Sequence, residues 1–310
     1  MHRAPPVPPP PLGAEPHVDC RGGRDAGEFA TLPLYRVTKD LQHVSVDNIV
    51  SDGYIAHIMK LTGNTILVTG GGSGIGRGLA ESLHRLGNKV IVAGRRQNAL
   101  DQTTKANPGI VSINLDVNDP EAIRTFAARV TAEHPGLNVL INNAGIMKME
   151  NLKALPAGLG DSEEVITTNL LGPVRLTAAL LPLLQNQAQA AIINVSSGLG
   201  FVPLPITPTY SATKAALHSY TLSLRVQLAD TPVEVIEIIP PAVATDLTPG
   251  RSATDPRMMS LPSFIDQTMQ ILQTKPTPSE ICVENVKFLR FAEAKGNFDK
   301  ALQQLSAVKL

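Results

Sequence analysis

Thr65-Ile66-Leu67-Val68-Thr69-Gly70-Gly71-Gly72-Ser73-Gly74-Ile75-Gly76 is the stretch on which the reading of this chain turns. Its first five residues are apolar or β-branched, too few for a helix, and they end at a glycine cluster, so they read as a buried strand. An amphipathic stretch, Ile75–Leu86, follows at once. Strand, glycine turn and helix in that order make an anion site. Glycines let the backbone turn tightly and approach a pyrophosphate, and the helix N-terminus offers unpaired N–H groups. Gly70, Ser73, Gly74, Ile75 and Gly76 are the residues nominated for that contact.

Outward from this turn, short apolar runs alternate with amphipathic ones. Strands are expected at Thr65–Thr69, Lys89–Ala93, Val111–Leu115, Val139–Asn142, Ala191–Val195 and Val233–Ile239. Helices are expected at Ile75–Leu86, Gln97–Asn107, Pro120–His134, Glu163–Leu184 and Thr209–Leu228, the third opened by Asp119 as N-cap and Pro120 at the first helical position. Strands alternating with helices predict βαβ units with right-handed crossovers. The fold class is therefore α/β: a single-domain, doubly wound, Rossmann-type parallel sheet with helices on both faces.

The chain has 310 residues, with 27 basic and 27 acidic side chains. That balance gives no electrostatic reason to expect nucleic acid or an anionic membrane surface as partner. No run of some 18 apolar residues is present, so no membrane span is expected. Cys20 and Cys282 are too few and too far apart in sequence for a disulfide framework, and no metal-ligand spacing surrounds them; a reducing, cytoplasmic setting fits. Residues 1–58 differ from the rest. Their opening prolines, Pro5, Pro6 and Pro8 to Pro11, resist helix and sheet alike. Either the native chain starts at Met59, or residues 1–58 are a disordered extension ahead of a 59–310 oxidoreductase domain that includes a C-terminal substrate lid. Asn194-Val195-Ser196 matches a glycosylation sequon but ends an apolar strand, and is read as chance.

Chemistry-bearing residues gather at one edge of the expected sheet. The second strand ends in Gly94-Arg95-Arg96, where an acidic residue would bind a ribose 2′-hydroxyl. Guanidinium forks instead suit a 2′-phosphate, at about 1.5–3 kcal/mol per bond, which predicts preference for NADP(H). A solvated basic turn is the plainer alternative. Asn142-Asn143-Ala144-Gly145 ends the fourth strand: its small residues admit a cofactor and its amides can pin backbone. Ser196-Ser197 closes the fifth strand, and Tyr210 and Lys214 lie four apart on one helical face, about 5–6 Å between Cβ atoms. A free phenol titrates near pH about 10. A neighbouring ammonium and a cationic nicotinamide favour the phenolate and make Tyr210 a usable acid/base. The carboxyl edge of an open α/β sheet is where ligands bind.

Taken together, Thr69–Gly76, Asn142–Gly145, Asn169, Ser197 and Tyr210 with Lys214 resemble, in order, the motifs of the short-chain dehydrogenases/reductases, over about Leu61 to Ala292. That resemblance implies Tyr210 as general acid/base and Ser197 as hydrogen-bond partner of the substrate oxygen. Ser197 rather than Ser196 stands thirteen residues before Tyr210, as in the family. Lys214 is implied to bind the nicotinamide ribose and lower the Tyr210 pKa, and Asn169 to hold a relay water. Asp116, with Val117, resembles the adenine-contacting pair, although an aspartate there also suits a turn or cap. Where the family has Pro-Gly this chain has Pro240-Pro241, which leaves Val243 and Thr245 as the expected nicotinamide-amide contacts. Glu280–Val283 and Lys287–Arg290 resemble a DltE-like bacterial branch.

Phe201 to Pro205 and the stretch from Asp246 to Ser263, with Met258, Met259 and Leu261, are expected as pocket wall and lid over a modestly apolar carbonyl or alcohol substrate. A homodimer or homotetramer is implied through Glu163–Leu184 and Thr209–Leu228. Two rivals stand beside this: a non-catalytic NADPH-binding regulator, against which Tyr210 and Lys214 speak, and a nucleotide-sugar epimerase/dehydratase, which needs a larger C-terminal domain.

Overall fold

The central β1 (Thr65–Thr69) pairs in parallel with β2 (Lys89–Gly94) on one side and β4 (Leu137–Asn142) on the other in the computed structural model, which describes residues 60–154, 158–247 and 258–308. With β3 (Val111–Asn114), β5 (Ala190–Val195), β6 (Val233–Ile238) and β7 (Glu280–Ile281) the order is β3-β2-β1-β4-β5-β6-β7, every pair parallel. The chain winds outward from β1 to β3, then returns to place β4 on the far side of β1. That reversal opens a crevice between β1 and β4. All described residues lie within one contact unit, Gly53–Leu310.

Strand residues point alternately to opposite faces, and the core divides accordingly. Ile66 and Val68 face one layer, α1 (Gly74–Arg85) and α7 (Leu261–Leu272), through Leu79, Leu83, Phe264 and Ile265. Leu67 faces the other, α3 (Pro120–Glu133), α5 (Gly172–Gln185) and α6 (Pro208–Gln227), through Phe126, Leu176 and Leu224. α2 (Gln97–Ala106), α4 (Gly160–Ile166), α8 (Lys287–Arg290) and α9 (Phe298–Ser306) complete the helices. On the second face a buried polar chain crosses the layers: the Asn142 amide donates to Thr177 of α5 and to Asn194, and the Asn194 amide donates to Thr221 of α6. Asn194 is fully buried, so the glycosylation sequon is sealed inside the sheet.

The six expected strands are present within two residues at each end; β7 is an addition. Two expectations change. The stretch Glu163–Leu184 is not one helix but α4, a π-turn at Thr167–Leu171, and α5, because Asn169 turns inward to grip backbone. Gly160–Gln185 is long and apolar enough to pass a length-and-composition test for crossing a membrane. α5, however, buries Leu176, Thr177, Leu180 and Leu184, as a core helix does. Two residues of the stretch expected as pocket wall and lid, Met259 and Leu261, are placed in the core layer instead. Met259 pairs with Val243 as a parallel bridge and is buried in the core, and Leu261 opens α7. Residues 248–257 of that stretch, and the calls on residues 1–58 and Met59, lie outside the described residues.

Candidate active site

A cavity of about 500 Å³ fills the crevice over the carboxyl ends of the strands. Its floor is the glycine turn. Gly70 and Gly74 have φ of +68° and +54°, the left-handed region that favours glycine. Gly76 is fixed by contact rather than by φ: a Cβ there would stand 2.3 Å from Asn143 Nδ2 and 2.5 Å from the Gly70 carbonyl oxygen. Thr69 and Asn143 lock the turn to β4. The Thr69 hydroxyl accepts from the backbone N–H of Asn143 and of Ala144, each at 3.0 Å, and Asn143 Nδ2 donates to the Thr69 carbonyl at 2.9 Å. The cradle is therefore bare backbone facing the N-terminus of α1, with room for a pyrophosphate and none for side chains.

Arg96 reaches back over this turn and donates to Ser73 Oγ at 2.8 Å. Arg95 also lines the cavity, but its guanidinium contacts Glu164 of α4 at 3.3 Å, where Lys148 also meets Asp161 and Glu164. The two expected phosphate readers are thus unequal, with Arg96 nearer the glycine turn. Val117 lines the cavity; Asp116 is not among its walls. The Asp116 carboxylate accepts the Asn118 N–H at 2.9 Å through one oxygen, so its side chain closes a turn beside the cavity, the turn role that the sequence also allowed.

At the opposite end Ser197, Tyr210 and Lys214 converge, all buried. Ser197 sits where β5 ends and caps the next turn by accepting the Leu199 N–H at 3.1 Å. That turn is pressed from both sides: a Cβ on Gly198 would stand 2.8 Å from Val286, and one on Gly200 2.9 Å from the Lys214 backbone. Tyr210 lies in the first turn of α6. Glu150 anchors this turn by accepting from the Thr209 N–H and hydroxyl, favourably placed at a helix N-terminus. Lys214 Nζ donates to the Val195 carbonyl at 2.8 Å and lies 5.7 Å from the Tyr210 ring centre.

Burial governs the two titrating groups. It pushes the Tyr210 phenol up to about 12, against which the neighbouring Ser197 hydroxyl acts in the opposite sense. It brings Lys214 down to about 8, against which the Glu237 carboxylate acts. Desolvation of the phenolate, rather than the expected lowering by Lys214, sets the balance in this arrangement; the bond from Lys214 to the Val195 carbonyl leaves its charge in place. Asn169 lies in the π-turn at Thr167–Leu171. Its Oδ1 accepts the Ile146 N–H and its Nδ2 donates to the Ile146 carbonyl, both at 2.9 Å, so the side chain clamps the loop after Gly145.

Gly145 packs close to Asn169 and Lys214, and Ala144, Val243 and Thr245 line the cavity as expected, joined by Pro240 and Pro241. Sequence reading missed Ile146, Met147, Lys148 and Thr168 in the wall, and Glu150 behind it, whereas Asp246 and Leu247 open the stretch it expected there. Ile146 and Met147 directly follow Asn143–Gly145, a usable signal. Glu150 meets α6 across 59 residues, which no local pattern reveals.

A family model described as short chain dehydrogenase matches residues 64–256. The Bacillus subtilis (strain 168) protein called "Uncharacterized oxidoreductase DltE" is 40% identical over 251 residues, 80% of this chain and 98% of that protein. An NADP-dependent 3-hydroxy acid dehydrogenase of Schizosaccharomyces pombe is 32% identical over 195 residues, 61% of this chain and 75% of that one. Among solved structures, a short chain dehydrogenase from Burkholderia cenocepacia in complex with NADP superposes with a TM-score of 0.67 at 25% identity, over 81% of this chain and 100% of that chain.

Proposed function

The chain belongs to the short-chain dehydrogenase/reductase family and is an oxidoreductase, and on that premise we propose that it moves a hydride between NADP(H) and a modestly apolar carbonyl or alcohol, with Tyr210 as acid/base. The observation that carries this reading is the meeting of Ser197, Tyr210 and Lys214 in the same cavity as the glycine turn. Gly70, Gly74 and Gly76 present backbone where any side chain would collide or strain, which fits a pyrophosphate. Ser73 and Arg96 would hold the adenosine end, Asn143 to Gly145 the middle, and Val243 and Thr245 the nicotinamide end. The bound nicotinamide supplies or accepts the hydride.

The chain's own groups handle the proton and the substrate oxygen. In the reducing direction the Tyr210 phenol donates its proton to the carbonyl oxygen as the alkoxide forms, while the Ser197 hydroxyl hydrogen-bonds the same oxygen. In the oxidising direction Tyr210 takes that proton back. A phenol held near 12 is the right form for donation and a poor base. Oxidation therefore needs the positive charge that arrives with the oxidised coenzyme, plus Lys214, to favour the phenolate. Ile146, Met147, Leu247 and Pro241 make the substrate end mostly apolar. The 3-hydroxy acid dehydrogenase relative supports a hydroxy or keto substrate class. We extend the proposal to a homo-oligomer formed through α5 and α6, and to a cytoplasmic protein in which Cys282 stays a thiol.

The arginines give the test of coenzyme choice. Arg96→Ala is expected to raise the NADPH Kd by roughly tenfold to a hundredfold, the loss of one charge-assisted bond of about 1.5–3 kcal/mol. NADH affinity should stay within about twofold. Arg95→Ala should do less, since Glu164 already engages that guanidinium. Fluorescence titration with both coenzymes decides it, and equal weakening of the two would remove the 2′-phosphate from the account. Purified protein screened against a carbonyl and alcohol panel, followed by absorbance of the reduced coenzyme, tests the activity itself.

A further inference from the structure

Behind the catalytic helix lies a cluster of charged side chains that the mechanism above does not use. Glu237 on β6 is fully buried. Register fixes the direction in which it points. Glu237 pairs with Asn194 on β5, and Asn194 reaches Thr221 of α6, so Glu237 faces the same helix. There one of its oxygens meets His218 Nδ1 at 2.7 Å, while Oε1 is buried with no hydrogen-bond partner among the described residues. His218 and Lys214 are one turn apart on α6, and neighbours at that spacing stand about 5–6 Å apart. Lys214 Nζ in turn rests on the carbonyl of Val195, the residue after Asn194.

The neighbouring charges are already committed. Arg290 of α8 forks Glu280 of β7 with bonds of 2.7 and 2.8 Å, and its guanidinium stacks on Phe201, whose ring meets His218 edge-on. Arg225 of α6 donates to the carbonyls of Val235 and Ser279. Lys287 pairs with exposed Glu284. The Cys282 thiol, pushed up to about 12 chiefly by burial, stays neutral. His218, Glu237 and Glu280 bring ligand atoms within 4.8 Å of one another, but the Arg290 fork already supplies the positive charge that a metal ion would bring to Glu280. Glu237 is left as a buried carboxylate with a spare oxygen. Burying such a group costs several kcal/mol unless a charge answers it, and Lys214, bonded to the uncharged Val195 carbonyl, is a buried cation on the facing helix.

We infer that Glu237, gripped by His218, is a positioning residue for the catalytic lysine: its carboxylate holds Lys214 in the ammonium form at neutral pH. The inference rests on the assignment of Lys214 to the reacting group. It adds an explanation of how an ammonium persists in a site buried on all sides. An ammonium is lost as pH rises through its titration midpoint. Burial alone moves that midpoint down, and the opposing charge of Glu237 moves it back up. Removing the charge therefore narrows the alkaline side of the working range and leaves the acid side in place.

The test is to follow the Lys214 side-chain nitrogen by NMR in full-length protein labelled with ¹⁵N-lysine, the signal assigned by its loss in Lys214→Met, in wild type and in Glu237→Gln. The midpoint should fall by at least one pH unit in Glu237→Gln, a tenfold loss of proton affinity, and stay within half a unit in Glu237→Asp. With whichever carbonyl the panel identifies, the alkaline limb of kcat should move down by the same amount while the KM for NADPH at pH about 6 is unchanged. An unmoved midpoint overturns the inference and leaves the oxidoreductase reading standing. Absence of turnover with every panel compound overturns that reading and leaves the titration informative. If Glu237→Gln does not fold, His218→Gln, which releases the grip on Glu237, is titrated instead: a Lys214 midpoint moved by more than half a pH unit supports the inference and an unmoved one overturns it.

Discussion

Tyr210→Phe is expected to cut turnover by about 10²–10⁴-fold, the range that positioned proton transfer contributes, or about 3–5 kcal/mol of activation barrier. NADPH affinity should stay within about twofold of wild type, because the phenol oxygen lies at the reacting end of the cavity and the glycine turn at the other. The fold should tolerate the change: the ring remains, the site is buried, and only the hydroxyl beside Ser197 is lost. Steady-state kinetics beside a coenzyme titration separates these effects. Turnover within threefold of wild type would show that another group moves the proton, and Ser196, buried in the same wall with an unpartnered hydroxyl, would be the next to examine.

Gly76→Ala should be the most damaging single change to coenzyme binding. The added carbon would lie 2.3 Å from Asn143 Nδ2 and 2.5 Å from the Gly70 carbonyl oxygen. Neither can withdraw cheaply, since Asn143 is bonded to the Thr69 carbonyl and Gly70 is held by its own N–H to the Ala93 carbonyl at 2.7 Å. The turn must part from β4, at about 1–3 kcal/mol of stability. Its N–H groups then lose their aim at the pyrophosphate. Losing one or two charge-assisted bonds of about 1.5–3 kcal/mol each weakens NADPH by at least about tenfold, and by well over roughly a hundredfold if both go. Thermal melting with and without NADPH measures both consequences, and a variant still stabilised by NADPH as strongly as wild type would contradict the packing argument.

The sheet was legible because each strand is an apolar run bounded by turn residues, and β1 announces itself through Gly70 to Gly76. β7 was not: two residues, one of them charged, carry no period. α7 had a usable cue, Ser260 followed by Pro262 in the first turn, the same logic that located α3, but the sequence reading assigns the stretch holding that cue, Asp246 to Ser263, to the pocket wall and lid. Of the site, the residues at strand ends were readable, because the topology delivers every strand's carboxyl end to one edge. The distinctions between Arg95 and Arg96, and between a ligand-facing and a turn-closing Asp116, depend on Glu164, Ser73 and the Asn118 N–H. Those are partners chosen by tertiary packing.

The π-turn between α4 and α5 carries one residue more than an α-helical turn would. It is thus a site where a one-residue deletion is absorbed locally. Deleting Leu170 would let the segment anneal into an unbroken α-helix, with α4 and α5 keeping their facing because the wide turn alone had held the extra residue. Asn169, inside that turn, would swing off Ile146, and the wall over the reacting carbon would lose its tether while the core below stayed assembled.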